Sequence, residues 1–418
     1  MSGAAIQSRL ANNKWLVFGA ACVPFFFINF ATFISLGIVL RPMIAEMHWT
    51  FTQAGFCFTA LGLACGLSSP LPAITMKRFG ARATFCAGTV SLFIGFLLAS
   101  VAHSLAAFYI GMAFVGLGFT FTGNVPGVYL ISTTYRTYAA RLIGFYLMVG
   151  ALGQAFGPPI VEAIIKAEGW RGHWQAMAWA AAAMTVFCFF AIRDQDSLGA
   201  ATVQADAVGD SAEGWTVRQS IMTAQFILLA CAVAFTMTSI TIIESVIVPH
   251  LAKIAETPHS ALVLSLIALT STGVKGLTGR LTESIRPALL VAAGLVLQAA
   301  GDGMLMVAST VPLQYLGAVS FGAGWGLSIV AGTVGVLDYF GADVGSRAMS
   351  TVSLLVTVGV LGPMVAGAVR DGYGTFAPIF LGAVVIALAL AVPIAIMRRP
   401  VPKPASEHLP AVAVTEPA

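Results

Sequence analysis

Between Trp15 and Met397 the chain is an almost unbroken series of apolar stretches, most of them about as long as a bilayer is thick. A membrane-crossing helix needs ~20 consecutive apolar residues. Punctuation by polar residues, Gly and Pro predicts twelve crossings: 15–40, 51–75, 83–101, 106–132, 142–166, 173–192, 221–247, 260–281, 288–308, 314–339, 349–370 and 376–397. Several soluble domains would fit 418 residues, but only 9% of them are charged, against about 25% in soluble domains. Disorder, collagen and coiled coil need polar, glycine-periodic or charge-rich sequences and are excluded as well. The expected fold class is an all-α membrane protein of twelve transmembrane helices.

The longest interruption runs from Arg193 to Ser220 and holds Asp194, Asp196, Asp206, Asp210 and Glu213. It divides the chain into a short tail (1–14), a six-helix bundle (15–192), a linker (193–220), a second six-helix bundle (221–397) and a Pro/Ala/Val-rich tail (398–418) expected to be disordered. Cys22, Cys57, Cys65, Cys86, Cys188 and Cys231 lie in or beside apolar runs and form no C-x-x-C pair, so packing is expected of them rather than disulfides or zinc. A net charge of +4, dispersed along the chain, does not suit nucleic acid.

Orientation follows from the placement of Lys and Arg. With a cytoplasmic N-terminus, fourteen basic residues fall inside and five (Arg41, Lys166, Arg171, Lys253, Arg370) outside, leaving Lys275 and Arg280 within span eight. Both tails are therefore expected in the cytoplasm. The first apolar run is too long for a signal peptide and is read as a span.

The two halves repeat. Gly116 and Gly118 recur as Gly322 and Gly324, and Arg141 as Arg347, all at an offset of 206 residues. Gly157-Pro158 recurs as Gly362-Pro363 and Gly169 as Gly374, at 205. Four landmarks in register predict a six-span unit duplicated head to tail, with the bundles related by an axis along the membrane normal. Two such bundles can rock about a shared central site, which is a transporter architecture.

With these features the chain resembles the major facilitator superfamily over essentially its whole length. That family's loop between spans two and three usually reads Gly-x-x-x-Asp-Arg-x-Gly-x-Arg. Here Ala73 to Arg82 keeps Arg78, Gly80 and Arg82 but places Lys77 at the acid. The second half keeps Gly279, Arg280 and Glu283. Within the superfamily the details are similar to the monocarboxylate transporters and the bacterial oxalate:formate antiporters. The carrying fragments are Gly37 to Arg41-Pro42-Met43, Trp49-Thr50, Gly169-Trp170-Arg171, and Lys275, Gly279 and Glu283 at four-residue intervals. Lys275-Gly276 stands where the family usually has Arg-Pro, and Ser271 where it has an acid one turn earlier.

Intramembrane charge is costly and marks function by default. By residue counting, Lys275 lies about 9 Å from the inner end of span eight and Glu244 about 5 Å from the outer end of span seven. That separates them by some 18 Å in depth and leaves Asp338 as the acid within reach of Lys275. Lys275 either pairs with Asp338 or snorkels to the inner surface, or it faces a central cavity and binds a substrate anion; the resemblance favours the anion. Arg280 and Glu283, three residues apart, are expected to form a cytoplasmic latch. Glu244 and Asp302 can relay protons or simply be wetted acids near helix ends. His250 and His259 are expected to be solvated in an outer loop. Asn29, Asn124 and Trp325 are further candidates for the cavity, with helix–helix hydrogen bonding or packing as the equal alternative.

The function expected from these residues is a secondary transporter of small organic monocarboxylates. The antiporters' second cation, in span eleven, is replaced by about Leu354, and one cation matches one carboxylate, so oxalate is disfavoured. The resemblance to the monocarboxylate carriers implies proton symport. Exchange is the alternative, hinted at by Gly144, Gly153, Gly157 and Pro158, whose spacing resembles the superfamily's antiporter signature. Efflux of drugs or amphiphiles, with Lys275 structural, is a third reading. No phosphate-binding loop or nucleotide-binding domain is present, so neither an enzyme nor a primary pump is expected, and no cofactor. The partners expected are the substrate anion, protons and the lipid bilayer, and the unit is expected to be a monomer.

Overall fold

The computed structural model describes residues 14–135, 138–192, 215–254 and 260–401. The N-terminal tail to residue 13, Arg136, most of the linker with its five acids, His259 and the C-terminal tail after residue 401 lie outside the described residues. Among the described residues all regular structure is helical, as a bilayer requires of backbone that must satisfy its own hydrogen bonds.

The helices are α1 (Lys14–Ala31), α2 (Phe33–Met47), α3 (Phe51–Ser68), α4 (Leu71–Val101), α5 (Leu105–Thr122), α6 (Asn124–Thr134), α7 (Ala139–Ala191), α8 (Val217–Ile221), α9 (Ala224–Ile254), α10 (Ser260–Leu281), α11 (Pro287–Met306), α12 (Val311–Phe340), α13 (Ala342–Gly359), α14 (Gly362–Tyr373) and α15 (Ala377–Ile396). Among the described residues, eleven helical stretches are long and apolar enough to cross a membrane. One of them, Arg141–Ala191, has 51 residues and would measure about 77 Å at 1.5 Å per residue, too long for one crossing. It turns back at Gly169, whose φ of +71° suits glycine, and so supplies two of twelve crossings.

Three crossings are interrupted where a freed carbonyl finds a new donor or the chain kinks. The first breaks at Thr32. The fourth breaks at Gly123, whose carbonyl accepts from the Tyr146 hydroxyl at 2.9 Å. The eleventh breaks after Gly359, and Thr59 Oγ1 of the other bundle donates to the Val360 carbonyl at 2.9 Å. Phe25 stacks on Tyr146 and Phe27 packs edge-on to Phe96, so both bury inside the first bundle.

The duplication is visible as repeated helix crossings. A Cβ on Gly95 of α4 would sit 2.8 Å from the Val115 nitrogen of α5; on Gly301 of α11 it would sit 2.5 Å from the Phe321 nitrogen of α12. Gly118 approaches the Gly88 carbonyl and Gly324 the Gly294 carbonyl, at 2.7 and 2.4 Å by the same measure. Gly116 meets the Leu61 carbonyl at 2.3 Å and Gly322 the Ile267 carbonyl at 2.5 Å. Every partner recurs 206 positions later. The protein is an all-α, multi-pass membrane fold of two equivalent bundles, in which small residues allow close helix contact.

Both described ends lie at one face, called here the terminal face. There the Tyr135 hydroxyl donates to the Lys14 carbonyl, Arg82 to that of Ile192 at 3.0 Å, and Arg286 to that of Met397 at 2.7 Å. At the opposite face Glu46 accepts from Trp170 Nε1 at 2.5 Å and Arg171 Nε at 3.2 Å, while Arg171 Nη1 donates to the Ser100 and Ala102 carbonyls. These bonds tie the corner after Gly169 to its own bundle.

Candidate functional site

Where α9 and α10 of the second bundle face the first, they bring Glu244 and Lys275 together. The two side chains interact electrostatically, which overturns the 18 Å separation expected from counting. Two physical causes account for it. The α9 helix continues to Ile254, so Glu244 lies about 15 Å inside its end. In addition, side chains lean toward the N-terminus of their own helix. The two helices are antiparallel, so Glu244 leans toward the terminal face, Lys275 leans toward the opposite face, and they converge.

Trp325 of α12 completes the site. Lys275 Nζ sits 3.9 Å from the centre of its indole ring, a cation–π contact worth ~0.5–2 kcal/mol depending on solvation. Trp325 and Glu244 line one chamber of about 10 Å³ together with Ile34, Gln154, Ile240 and Ile267, room for roughly one water. Gly326, beside Trp325, packs on the Ser271 carbonyl, so α12 and α10 are in close contact here. Among the described residues neither Lys275 nor Glu244 makes a hydrogen bond or a close ion pair. The Trp325 Nε1 and Ser271 Oγ atoms are buried and likewise unbonded. Trp325 thus joins the Lys275 ammonium, which lies over its ring, to the chamber lined by Glu244 at the level where the bundles touch.

The other expected residues fall elsewhere. Asp338 is not the partner of Lys275: it pairs with Arg399 at 3.5 Å, on the terminal face. Arg280 and Glu283 are both exposed and form no ion pair with each other, so the expected latch is not made. Asp302 is 1% exposed and is not a wetted helix-end acid. It lies one turn from Gln298, whose Nε2 donates to Thr236 and Ser328. His250 is buried, with Nε2 3.2 Å from the Leu305 carbonyl, because α9 outlasts the apolar run that suggested its end. Asn29 spends its amide on its own helix, donating to the Phe25 carbonyl at 2.7 Å. Asn124 is exposed at the start of α6, after the Gly123 break.

One residue was missed entirely. Asp371, at the end of α14, accepts from the Phe51 and Thr52 backbone N–H groups at 3.0 and 2.8 Å and from Thr52 Oγ1 at 2.6 Å. Nothing in the sequence singles it out, since two of its three donors are backbone amides.

Known proteins share the fold. The sequence profile of the Major Facilitator Superfamily matches residues 22–243. Uncharacterized transporter YycB of Bacillus subtilis is 30% identical over 140 residues, 34% of each chain. Human monocarboxylate transporter 6 is 26% identical over 157 residues, 34% of this chain and 30% of that one. Drug efflux pump JefA of Mycobacterium tuberculosis is 26% identical over 148 residues, 34% of this chain and 29% of that one. The chain thus spans about a third of the length of the curated relatives it matches. Among solved structures, a POT family transporter in complex with 5-aminolevulinic acid superposes with a TM-score of 0.74 at 14% identity, covering 90% of this chain and 95% of that one. The nucleoside transporter NupG gives 0.71 at 13%, covering 90% and 98%.

Proposed function

Because this chain belongs to the Major Facilitator Superfamily, a family of transporters, we propose that it moves small organic monocarboxylates by alternating access, together with a proton. The observation that carries this reading is the unbonded Lys275 ammonium, held against Trp325 at the interface between the bundles. A carboxylate arriving there would meet the Lys275 ammonium and, on the ring that it covers, the unbonded Trp325 N–H. Charge-assisted hydrogen bonds of this kind are about twice as strong as neutral ones. A dianion would leave its second charge among apolar side chains, where an unpaired charge is strongly disfavoured.

Glu244 supplies the coupling in this scheme. While the site is empty, its carboxylate balances Lys275. A substrate carboxylate takes over that role, and Glu244 is left beside Ile34, Ile240 and Ile267 with no counter-charge. A proton on Glu244 restores neutrality, so one anion and one proton enter together, and both leave when the site faces the other side. The matches to monocarboxylate transporters over about a third of their length are in keeping with this.

A competing reading is efflux of apolar compounds, with Lys275 a structural cation sheltered by Trp325 and Glu244; the match to a drug efflux pump favours it. Thermal unfolding of the purified protein against pyruvate, lactate, oxalate and a panel of cationic drugs separates the two, because a ligand that binds only the folded state raises the midpoint. A rise with monocarboxylates that disappears in Lys275→Gln supports carboxylate transport. A rise confined to drugs, and kept in Lys275→Gln, supports efflux.

The excess of basic residues on the terminal face supports a cytoplasmic location for it, and hence a protein of the cytoplasmic membrane with both termini inside. The boundaries of the two bundles at 15–192 and 221–397, and a monomeric unit, belong to the same reading.

A further inference from the structure

The two bundles meet along a seam between α3 and α14, and at the opposite face the Asp371 carboxylate bridges it. The Asp371 oxygens accept three hydrogen bonds from the first turn of α3 across the seam. First-turn amides have no partner within their helix and carry the positive end of its dipole. Thr50 caps the Gln53 amide from within α3 and Gln53 returns a bond to Thr50. Phe51 and Thr52 are the donors left over, and the acceptor comes from the other bundle. Arg370 lies over the Phe51 ring at 5.1 Å, Phe51 meets Phe376 edge-on at 5.5 Å, and a Cβ on Gly367 would sit 2.2 Å from the Phe51 carbonyl.

The terminal face shows no counterpart at the expected place. Arg280 and Glu283 do not pair, and a Cβ added to Gly273, Gly276 or Gly279 of α10 would meet nothing within 4 Å.

We propose that Asp371 is the gating residue of the opposite face: its carboxylate holds the first turn of α3, and releasing that grip is the step that opens the central site to that side. The bonds are suited to a reversible gate. Asp371 is exposed and Phe51 and Thr52 are partly so, so water replaces each bond on opening and the net cost stays small. An amide at position 371 offers one acceptor oxygen where the carboxylate offers two, and no charge to the helix dipole.

The test needs no substrate, so its failure would leave the carboxylate reading standing. In full-length protein with the six cysteines replaced, Ile38→Cys reports on the cleft at the opposite face, which it lines with Arg41 and Val248. Gly279→Cys reports on the terminal side, one turn below Lys275. With Asp371→Ala, alkylation at position 38 should accelerate about tenfold, the factor carried by one charge-assisted hydrogen bond, while alkylation at position 279 slows. Asp371→Asn should fall between parent and Ala. Unchanged rates at both positions would make Asp371 an ordinary helix cap and overturn the proposal. Faster labelling at both would also overturn it, showing a loosened fold rather than a shifted gate.

Discussion

Removing the Lys275 charge should harm the protein less when Glu244 is neutralised with it. In Lys275→Gln the cation–π contact with Trp325 disappears, worth about 1 kcal/mol at a partly buried site. The Glu244 carboxylate is then alone in a chamber walled by Ile34, Ile240 and Ile267. Breaking one side of a fully buried pair costs ~3–5 kcal/mol. Both side chains keep some solvent exposure and make no close ion pair with each other, so a loss of about 1–3 kcal/mol is the scaled expectation. Glu244→Gln removes that penalty at its source. The double substitution should therefore be more stable than Lys275→Gln alone, with a coupling energy of about 1–2 kcal/mol in a double-mutant cycle. Chemical or thermal unfolding in one detergent, at one pH, gives all four corners. If the two single losses add to within ~0.5 kcal/mol, the two groups do not feel each other, and the exchange of partners proposed for coupling has no basis.

The duplicated crossings give matched substitutions: Gly95→Ala and Gly301→Ala force a methyl group onto neighbouring backbone, and each should lower stability by about 1–3 kcal/mol, whereas an effect in only one bundle would contradict their equivalence. Gly279→Ala meets nothing within 4 Å and should be neutral or stabilising by up to about 1 kcal/mol, so a comparable loss there would show that glycine content, not contact, governs the result. Orientation is checked with an impermeant maleimide on intact cells in a cysteine-free background: Ser309→Cys should label and Ser284→Cys should not, and the reverse pattern would invert the assignment of faces.

The spans were legible because a bilayer leaves no choice of secondary structure, and apolar length alone then locates each helix. The repeat was legible because Gly116, Gly118, Gly322 and Gly324 sit at crossings too tight for a side chain. Depth was not legible. Counting from the end of an apolar run placed Glu244 and His250 near water, but α9 continues for another two turns. Counting also ignores side-chain direction, and in two antiparallel helices that direction brought Lys275 and Glu244 together. Asp338 was a reasonable partner by height alone, yet Arg399 after α15 reaches it at 3.5 Å. Asp371 was invisible for a different reason. Backbone amides occur at every residue, and only the folded seam shows which of them lack an acceptor.

Uptake into proteoliposomes tests the central claim most directly. Vesicles with an empty interior receive labelled monocarboxylate outside, with and without an inward pH gradient, and the parent is compared with Lys275→Gln and Glu244→Gln. The gradient should drive accumulation in the parent, and Lys275→Gln should take up nothing. Glu244→Gln should still exchange internal for external carboxylate but no longer concentrate it. Accumulation that ignores the gradient and requires carboxylate inside would make the protein an exchanger. Uptake that survives in Lys275→Gln would contradict the proposed mechanism outright.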